Sequence, residues 1–248
     1  LLYANTLNLI QREETIVRHM LARRVEGMFV LPVHRLQPEA KLYQELAASR
    51  LPVVLLGPTA LFCSQFVSVA GDDEAGSFAA TRHLLDLGHR RIAFLAGPIA
   101  APWARERLEG HQRALRDAGL EFDDRLLFPA GSTLDDGAKA ANQLLPELAQ
   151  FTAVQACCDL VAIGCANALL NAGIRIPDDL SLVGFGNILT AEYFRVPLTT
   201  VRQPKRRLGN AAMDLMSKLL RGQPAESVRL PATLSVRAST AAPRPPSA

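Results

Sequence analysis

The stretch TAVQACCD (residues 152–159), followed by a long apolar run and then by LSLVGFGN (residues 180–187), reads strand, helix, strand. Residues 153–158 are an uncharged run closed by Asp159, the pattern of a short strand buried on both faces. Residues 160–172 are apolar enough to pack as a helix on a sheet, Gly173 stops them, and Pro177-Asp178-Asp179 makes a turn. Residues 180–185 form a second buried strand. Two such strands joined by a helix make a right-handed βαβ crossover. Ligands of open α/β sheets bind outside the carboxyl ends of the strands. Here those ends carry Gln155 to Asp159 and Phe185 to Asn187, which become the first candidates for a site.

The same alternation extends in both directions. Upstream, the spacing predicts strands at 27–31, 52–56, 66–70 and 92–95, and a further strand at 1–4. Helices are predicted at 11–24, 38–49, 74–87 and 103–118, and one capped by Ser132 or Thr133 with Ala138, Ala141, Leu145 and Leu148 as its buried stripe. Gly88 closes the 74–87 helix, and His89-Arg90-Arg91 brings positive charge to its negative end. Downstream, Leu208, Ala211, Ala212, Leu215, Met216 and Leu219 lie on one face of a helix at 204–221. A late strand pair is expected at 228–230 and 233–236, then a flexible tail over 241–248. Near-continuous apolar strands alternating with helices specify an α/β fold with parallel sheets covered on both faces.

The chain has 248 residues, 49% hydrophobic and 21% charged, an ordinary globular composition. A net charge of +3 is too small to argue for a nucleic-acid surface on this chain itself. The four cysteines, Cys63, Cys157, Cys158 and Cys165, show no metal-type C-x-x-C spacing and fit a reduced, cytoplasmic compartment. No apolar run approaches the roughly 20 residues that span a bilayer. The sequence has no G-x-G-x-x-G, Walker, H-E-x-x-H or G-x-S-x-G motif, and its five histidines have no evident nucleophile partner. An enzyme, a metal site and a cofactor are therefore not expected.

Six segments carry a further signal: RVEGMFV (24–30), LLDLGHRRI (84–92), RLEG (107–110), IPDDLSLVGF (176–185), PLTTV (197–201) and VRAST (236–240). In this order and spacing they resemble the effector-binding core of LacI-family transcriptional regulators, over nearly the whole chain to about residue 240. The resemblance implies a periplasmic-binding-protein-like fold, with two parallel-sheet subdomains joined by three crossovers and an effector, a sugar or sugar derivative, in the cleft between them. It assigns residues 1–97 plus 201–222 to one subdomain and 98–200 plus 223–240 to the other, with hinges at Gly97-Pro98 and Thr199-Thr200. It also implies an N-terminal helix-turn-helix domain, which this sequence lacks together with the core's first strand and helix. The implied partners are the effector, operator DNA through that absent domain, and a second copy of the chain in a homodimer, with no membrane. A transport-associated sugar-binding protein shares the fold and is the alternative.

The resemblance also selects effector-binding residues. Arg107 matches the arginine of R-x-x-G, whose planar fork suits adjacent hydroxyls or a carboxylate; a solvated helix arginine is the plainer reading. Asp159 matches the aspartate of N-D-x-x-A-x-G, where it either contacts ligand or caps the following helix, and Cys158 replaces the family's asparagine. Gln155 either faces ligand or is satisfied against a helix. Trp103, one turn before Arg107, either stacks on a sugar or packs the rim. Gly186 stands where many relatives have an aspartate, followed by Asn187. The lost carboxylate, set against Arg107, implies a less anionic pocket that tolerates a sugar acid or sugar phosphate, unless another buried carboxylate stands beside Arg107.

Overall fold

A computed structural model describes residues 1–244. In chain order the elements are α1 (Ile10–Ala22), β1 (Met28–Val30), α2 (Lys41–Ala48), β2 (Val53–Leu56), β3 (Val67–Asp72), α3 (Asp73–Asp86), β4 (Ile92–Ala96), α4 (Pro102–Asp117) and β5 (Leu127–Pro129). There follow α5 (Leu134–Leu144), β6 (Ala153–Ala156), α6 (Asp159–Asn171), β7 (Ser181–Phe185), α7 (Leu189–Tyr193), β8 (Thr199–Arg202), α8 (Lys205–Leu220), β9 (Val228–Pro231) and β10 (Thr233–Ser235). They form two compact units. The first comprises Leu1–Gly71, Ala100–Pro102 and Pro204–Leu230; the second comprises Asp72–Ile99, Trp103–Gln203 and the chain from Pro231.

The first unit is built on a four-stranded sheet in the order β1-β2-β3-β9. Successive residues of β2 face opposite ways. Val53 and Leu55 pack with Val17 of α1 and with Leu42, Tyr43 and Leu46 of α2. Val54 packs with Val69 and with Ala212, Leu215 and Met216 of α8, so the sheet is covered on both faces. Glu13, 1% exposed, lies inside this unit. Its carboxylate accepts from the Tyr43 hydroxyl at 2.7 Å, from the Val33 N–H at 2.7 Å and from the Arg35 guanidinium. Residues 1–4 are not a strand, because no neighbouring strand supplies the ladder bonds that would make them one.

The second unit is built on a six-stranded sheet in the order β10-β8-β7-β6-β4-β5, parallel except for the β10–β8 pair. The opening stretch holds the middle of it. Val154 and Ala156 of β6 pack with Ala140, Ala141 and Leu144 of α5 and Val161 and Ala162 of α6. Ala153 turns to the other face, with Val183, Phe185 and Val201, under Ala80 and Leu84 of α3 and Ala114 and Leu115 of α4.

Apart from the brief return of Ala100–Pro102 to the first unit, the three crossings between the units lie elsewhere than the resemblance implied. The first is at Gly71–Asp72, not at Gly97-Pro98. The reason is pairing: β4 lies between β5 and β6, and α3 packs on the same sheet. The second is at Gln203–Pro204, just after β8 has paired with β7 and β10. The third is at Leu230–Pro231, which splits the expected late strand pair: β9 joins the first sheet beside β3 and β10 the second beside β8.

Other corrections are local. His89 is 1% exposed, and burial lowers its pKa below the usual histidine value, so it brings no charge to the end of α3. Arg90 does that work, donating to the Leu85 carbonyl at 3.0 Å. Residues 241–244 are held rather than frayed: Ala241 N–H donates to Ser181 Oγ at 3.0 Å and Arg244 pairs with Asp179 at 3.0 Å. The rest of the expected tail lies outside the described residues.

The buried stripe of α5 is Gly137, Ala140, Ala141 and Leu144, displaced from the predicted one except at Ala141. The displacement follows from close packing on α6. A Cβ on Gly137 would stand 2.2 Å from the Val161 carbonyl oxygen, and one on Gly164 would stand 2.0 Å from that of Leu134. Backbone occupies both spots, so the helices cannot part without losing Val161 and Leu144 from the core. Alanine normally favours a helix by about 1 kcal/mol over glycine. Gly164→Ala is nevertheless expected to destabilise the chain, by about 2 kcal/mol as an overpacking substitution, read as a lower urea midpoint.

Candidate functional site

The site is built around Arg107, on the second turn of α4. Its residue is only 8% exposed, which excludes the solvated reading. Nε and Nη2 donate to Asp73 Oδ2 at 3.0 and 2.6 Å, and Nη1 donates to the Cys157 carbonyl at 2.7 Å, at the end of β6. The guanidinium carbon lies 3.7 Å from the centroid of the Phe185 ring and 4.6 Å from the Trp103 ring. Trp103 and Arg107 come together because they are one helical turn apart on α4. Phe185 arrives from the carboxyl end of β7.

Asp73 was not foreseen as a site residue. It opens α3 directly after the first crossing and is 2% exposed. Its Oδ2 takes both Arg107 bonds and its Oδ1 accepts from Gln203 Nε2 at 2.8 Å. The only hint in the sequence is the Asp72-Asp73 pair at a strand–helix junction, and Asp72 is the one that caps α3, accepting from Ala75 N–H. This buried carboxylate beside Arg107 overturns the expectation of a less anionic site suited to sugar acids or phosphates.

Asp159 neither caps α6 nor points to open solvent. It is the first residue of that helix, Cys158 occupies the cap position, and Asp159 is 1% exposed. Its Oδ2 accepts from Ile188 N–H at 2.9 Å and its Oδ1 from the Thr200 hydroxyl at 2.5 Å. The carboxylate thus fastens the loop after β7 to β8. Gly186 and Asn187 lie in that loop. Gly186 has φ +125°, a conformation that favours glycine over a side-chain-bearing residue. Asn187 Oδ1 accepts from Arg237 Nη2 at 2.7 Å, and its N–H donates to Thr200 Oγ1 at 3.3 Å.

Gln155 is 2% exposed and belongs to an internal network, as its helix-facing reading had it. Nε2 donates to Ser77 Oγ at 2.7 Å and Oε1 accepts from the Thr81 hydroxyl at 2.5 Å. His111 Nδ1 lies 3.0 Å from the same hydroxyl. His111 Nε2 has no partner among the described residues. Ser77 in turn donates to the Arg107 carbonyl, so the network supports α4 from below.

Cys158 is half-buried, with Sγ 3.8 Å from the Ser132 carbonyl oxygen. Hydrogen bonding with Cys157 holds its pKa below the usual thiol value, helped by the Val161 and Leu160 amides and by Arg107 and opposed by burial. The same pairing raises Cys157. Among the described residues no group of histidine, cysteine and carboxylate side chains could hold a metal ion, and no helix is long and apolar enough to cross a membrane.

Residues 81–240 match the family model described as a periplasmic binding protein-like domain. The chain is 32% identical over 216 residues to the HTH-type transcriptional repressor PurR of Vibrio atlanticus, covering 87% of this chain and 64% of that protein. It thus spans somewhat less than two thirds of that relative's length. Among solved structures, a transcriptional regulator CelR–cellobiose complex is 33% identical with a TM-score of 0.84, covering 93% of this chain and 70% of that one. The transcription regulator CcpA of Lactococcus lactis is 30% identical with a TM-score of 0.86, covering 96% and 86%.

The support beneath α4 is pH-sensitive. Burial pushes the pKa of His111 down to about 4, so it stays neutral in the fold while the unfolded chain binds a proton near pH 6.5. Its neutral form therefore costs nothing above pH 6.5, and stability is lost as pH falls from 6.5 toward 4, by up to about 3 kcal/mol from this residue. Half-buried His34 and His83 and buried His89 shift in the same direction. Urea unfolding at pH 7 and pH 4.5 checks this: His111→Phe should shrink the difference between the two midpoints, and an unchanged difference would assign the acid loss to the other histidines.

Proposed function

Because the chain belongs to the LacI family of transcriptional regulators and carries its effector-binding core, we propose that it senses a neutral, polyhydroxylated sugar on the Arg107 face of the second unit. The observation that carries this reading is the state of the Arg107 fork. A guanidinium has five N–H donors; three are assigned, to Asp73 and to the Cys157 carbonyl, which leaves two for ligand oxygens. The Asp73 carboxylate already balances its charge. An anionic ligand would have to displace or repel that carboxylate in a dry site, whereas hydroxyl oxygens need only accept. The half-buried Trp103 ring beside the guanidinium supplies an apolar surface of the kind that meets a sugar's C–H face. The solved CelR complex holds cellobiose, a ligand of this chemistry.

In this reading the chain has no catalytic role and works in the cytoplasm as a homodimer. Operator contact belongs to a helix-turn-helix domain of the type named for PurR, with dimer symmetry matching a pseudo-palindromic site. Effector shifts operator affinity only by as much as it distinguishes two states of the core. A thermal-shift panel of cellobiose and D-glucose against gluconate and glucose 6-phosphate tests the reading. A neutral sugar at a hundredfold excess over its Kd should stabilise the chain by about 2.7 kcal/mol. Trp103→Leu, which leaves the Arg107–Asp73 pair in place, should weaken that effect at least tenfold in concentration. Stabilisation by the two anions alone would overturn the choice of a neutral ligand.

A further inference from the structure

Asp73 and Gln203 have positions that the effector reading does not explain. Asp73 is the second residue after the chain enters the second unit at Gly71–Asp72. Gln203 is the last residue before the chain leaves it at Gln203–Pro204. The two are joined side chain to side chain at 2.8 Å, across 130 positions of sequence. The carboxylate that makes this bond is the one that holds Arg107 at 2.6 and 3.0 Å. We infer that Asp73 is a positioning residue that links the state of the Arg107 guanidinium to both of these crossings: its backbone follows the first, its Oδ2 holds Arg107, and its Oδ1 holds Gln203 before the second. Its role in transmitting an effector signal rests on the proposed function; the linkage itself does not.

The physical argument is one of divided obligations. Asp73 is 2% exposed, so its charge has no water to fall back on and must follow its cation. The Arg107 side chain is 9% exposed and its guanidinium lies over the Phe185 and Trp103 rings at 3.7 and 4.6 Å, so it turns within its own plane more readily than it tilts. A turn in that plane, as ligand oxygens engage the two free donors, draws Oδ2 along. Oδ1 is rigidly tied to Oδ2, and the Gln203 amide moves with it or lets go. Gln203 is half-buried and followed at once by Pro204, whose ring restricts the backbone before it. A change in the amide's hold therefore passes to the backbone at the crossing. By linkage, a change at the crossing also alters Arg107 to the same extent. Asp72 stays outside this traffic, because its side chain is committed to the Ala75 N–H at the start of α3.

Hydrogen exchange on the whole 248-residue chain, without ligand, tests the linkage in four versions: wild type, Arg107→Lys, Gln203→Met and the double variant. Arg107→Lys keeps the charge beside Asp73 but removes the fork. Gln203→Met keeps length and removes the donor. In the wild-type background Arg107→Lys should raise exchange over residues 199–208 by about tenfold. In the Gln203→Met background the same change should move that segment less than twofold, while α4 exchanges faster in both. The amides of β6 serve as the control for global stability. Equal acceleration of residues 199–208 in both backgrounds, or none in either, overturns the inference. A merely structural Gln203 would add its effect to that of Arg107→Lys rather than cancel it. Because no ligand is used, a sugar panel without a binder would remove the proposed function and leave this result to stand or fall alone.

Discussion

The buried ion pair of Asp73 and Arg107 is the constraint on which the site depends. It joins the first residue of α3 to the second turn of α4, and the same guanidinium reaches the Cys157 carbonyl at the end of β6. Three elements of the second unit thus meet on one cation. Neither charge is tolerable without the other: breaking such a pair commonly costs about 3–5 kcal/mol, because a buried charge is left uncompensated. The rings of Phe185 and Trp103 add to the exclusion of water and hold the guanidinium plane. The arginine's donors therefore have a fixed direction.

Asp159 applies the same principle a strand away. Its two oxygens take the Ile188 amide and the Thr200 hydroxyl, so the loop after β7, which includes left-handed Gly186 and Asn187, is fixed to β8. Arg237 closes the arrangement from the far end of the chain, donating to Asn187 Oδ1 and to the Leu198 carbonyl. Ser239 continues it, donating to the Leu182 carbonyl and accepting from Thr199 N–H. The VRAST segment is thus a row of polar clasps along β7 and β8. Its likeness to the family reflects backbone groups that must be satisfied inside the sheet.

Much of this was legible beforehand. The strand–helix–strand at 152–187 appears as β6, α6 and β7, because uninterrupted apolar runs of that length have no place but the middle of a covered sheet. Arg107 was singled out by R-x-x-G, and the structure shows it buried and held by Asp73 and the Cys157 carbonyl. Other assignments failed for one physical reason. Whether Gln155 faces ligand or helix depends on which face of β6 lies under α3, and only the sheet order decides that. Whether Asp159 caps its helix depends on whether Ile188 and Thr200 offer it better donors. The expected crossing at Gly97-Pro98 relied on a turn signal, but a turn between a strand and its helix looks the same inside a unit as between two units.

The sequence by itself determined the alternation of elements, the parallel character of the sheets and the family. All of these are written in local periodicity or in motifs a few residues long. The tertiary structure alone decided which carboxylate meets Arg107, and so the charge balance around it. Asp73 and Arg107 are 34 positions apart, and Asp73 and Gln203 are 130 apart. Their meeting depends on how α3, α4 and β8 pack around one sheet, a long-range outcome that no local pattern encodes.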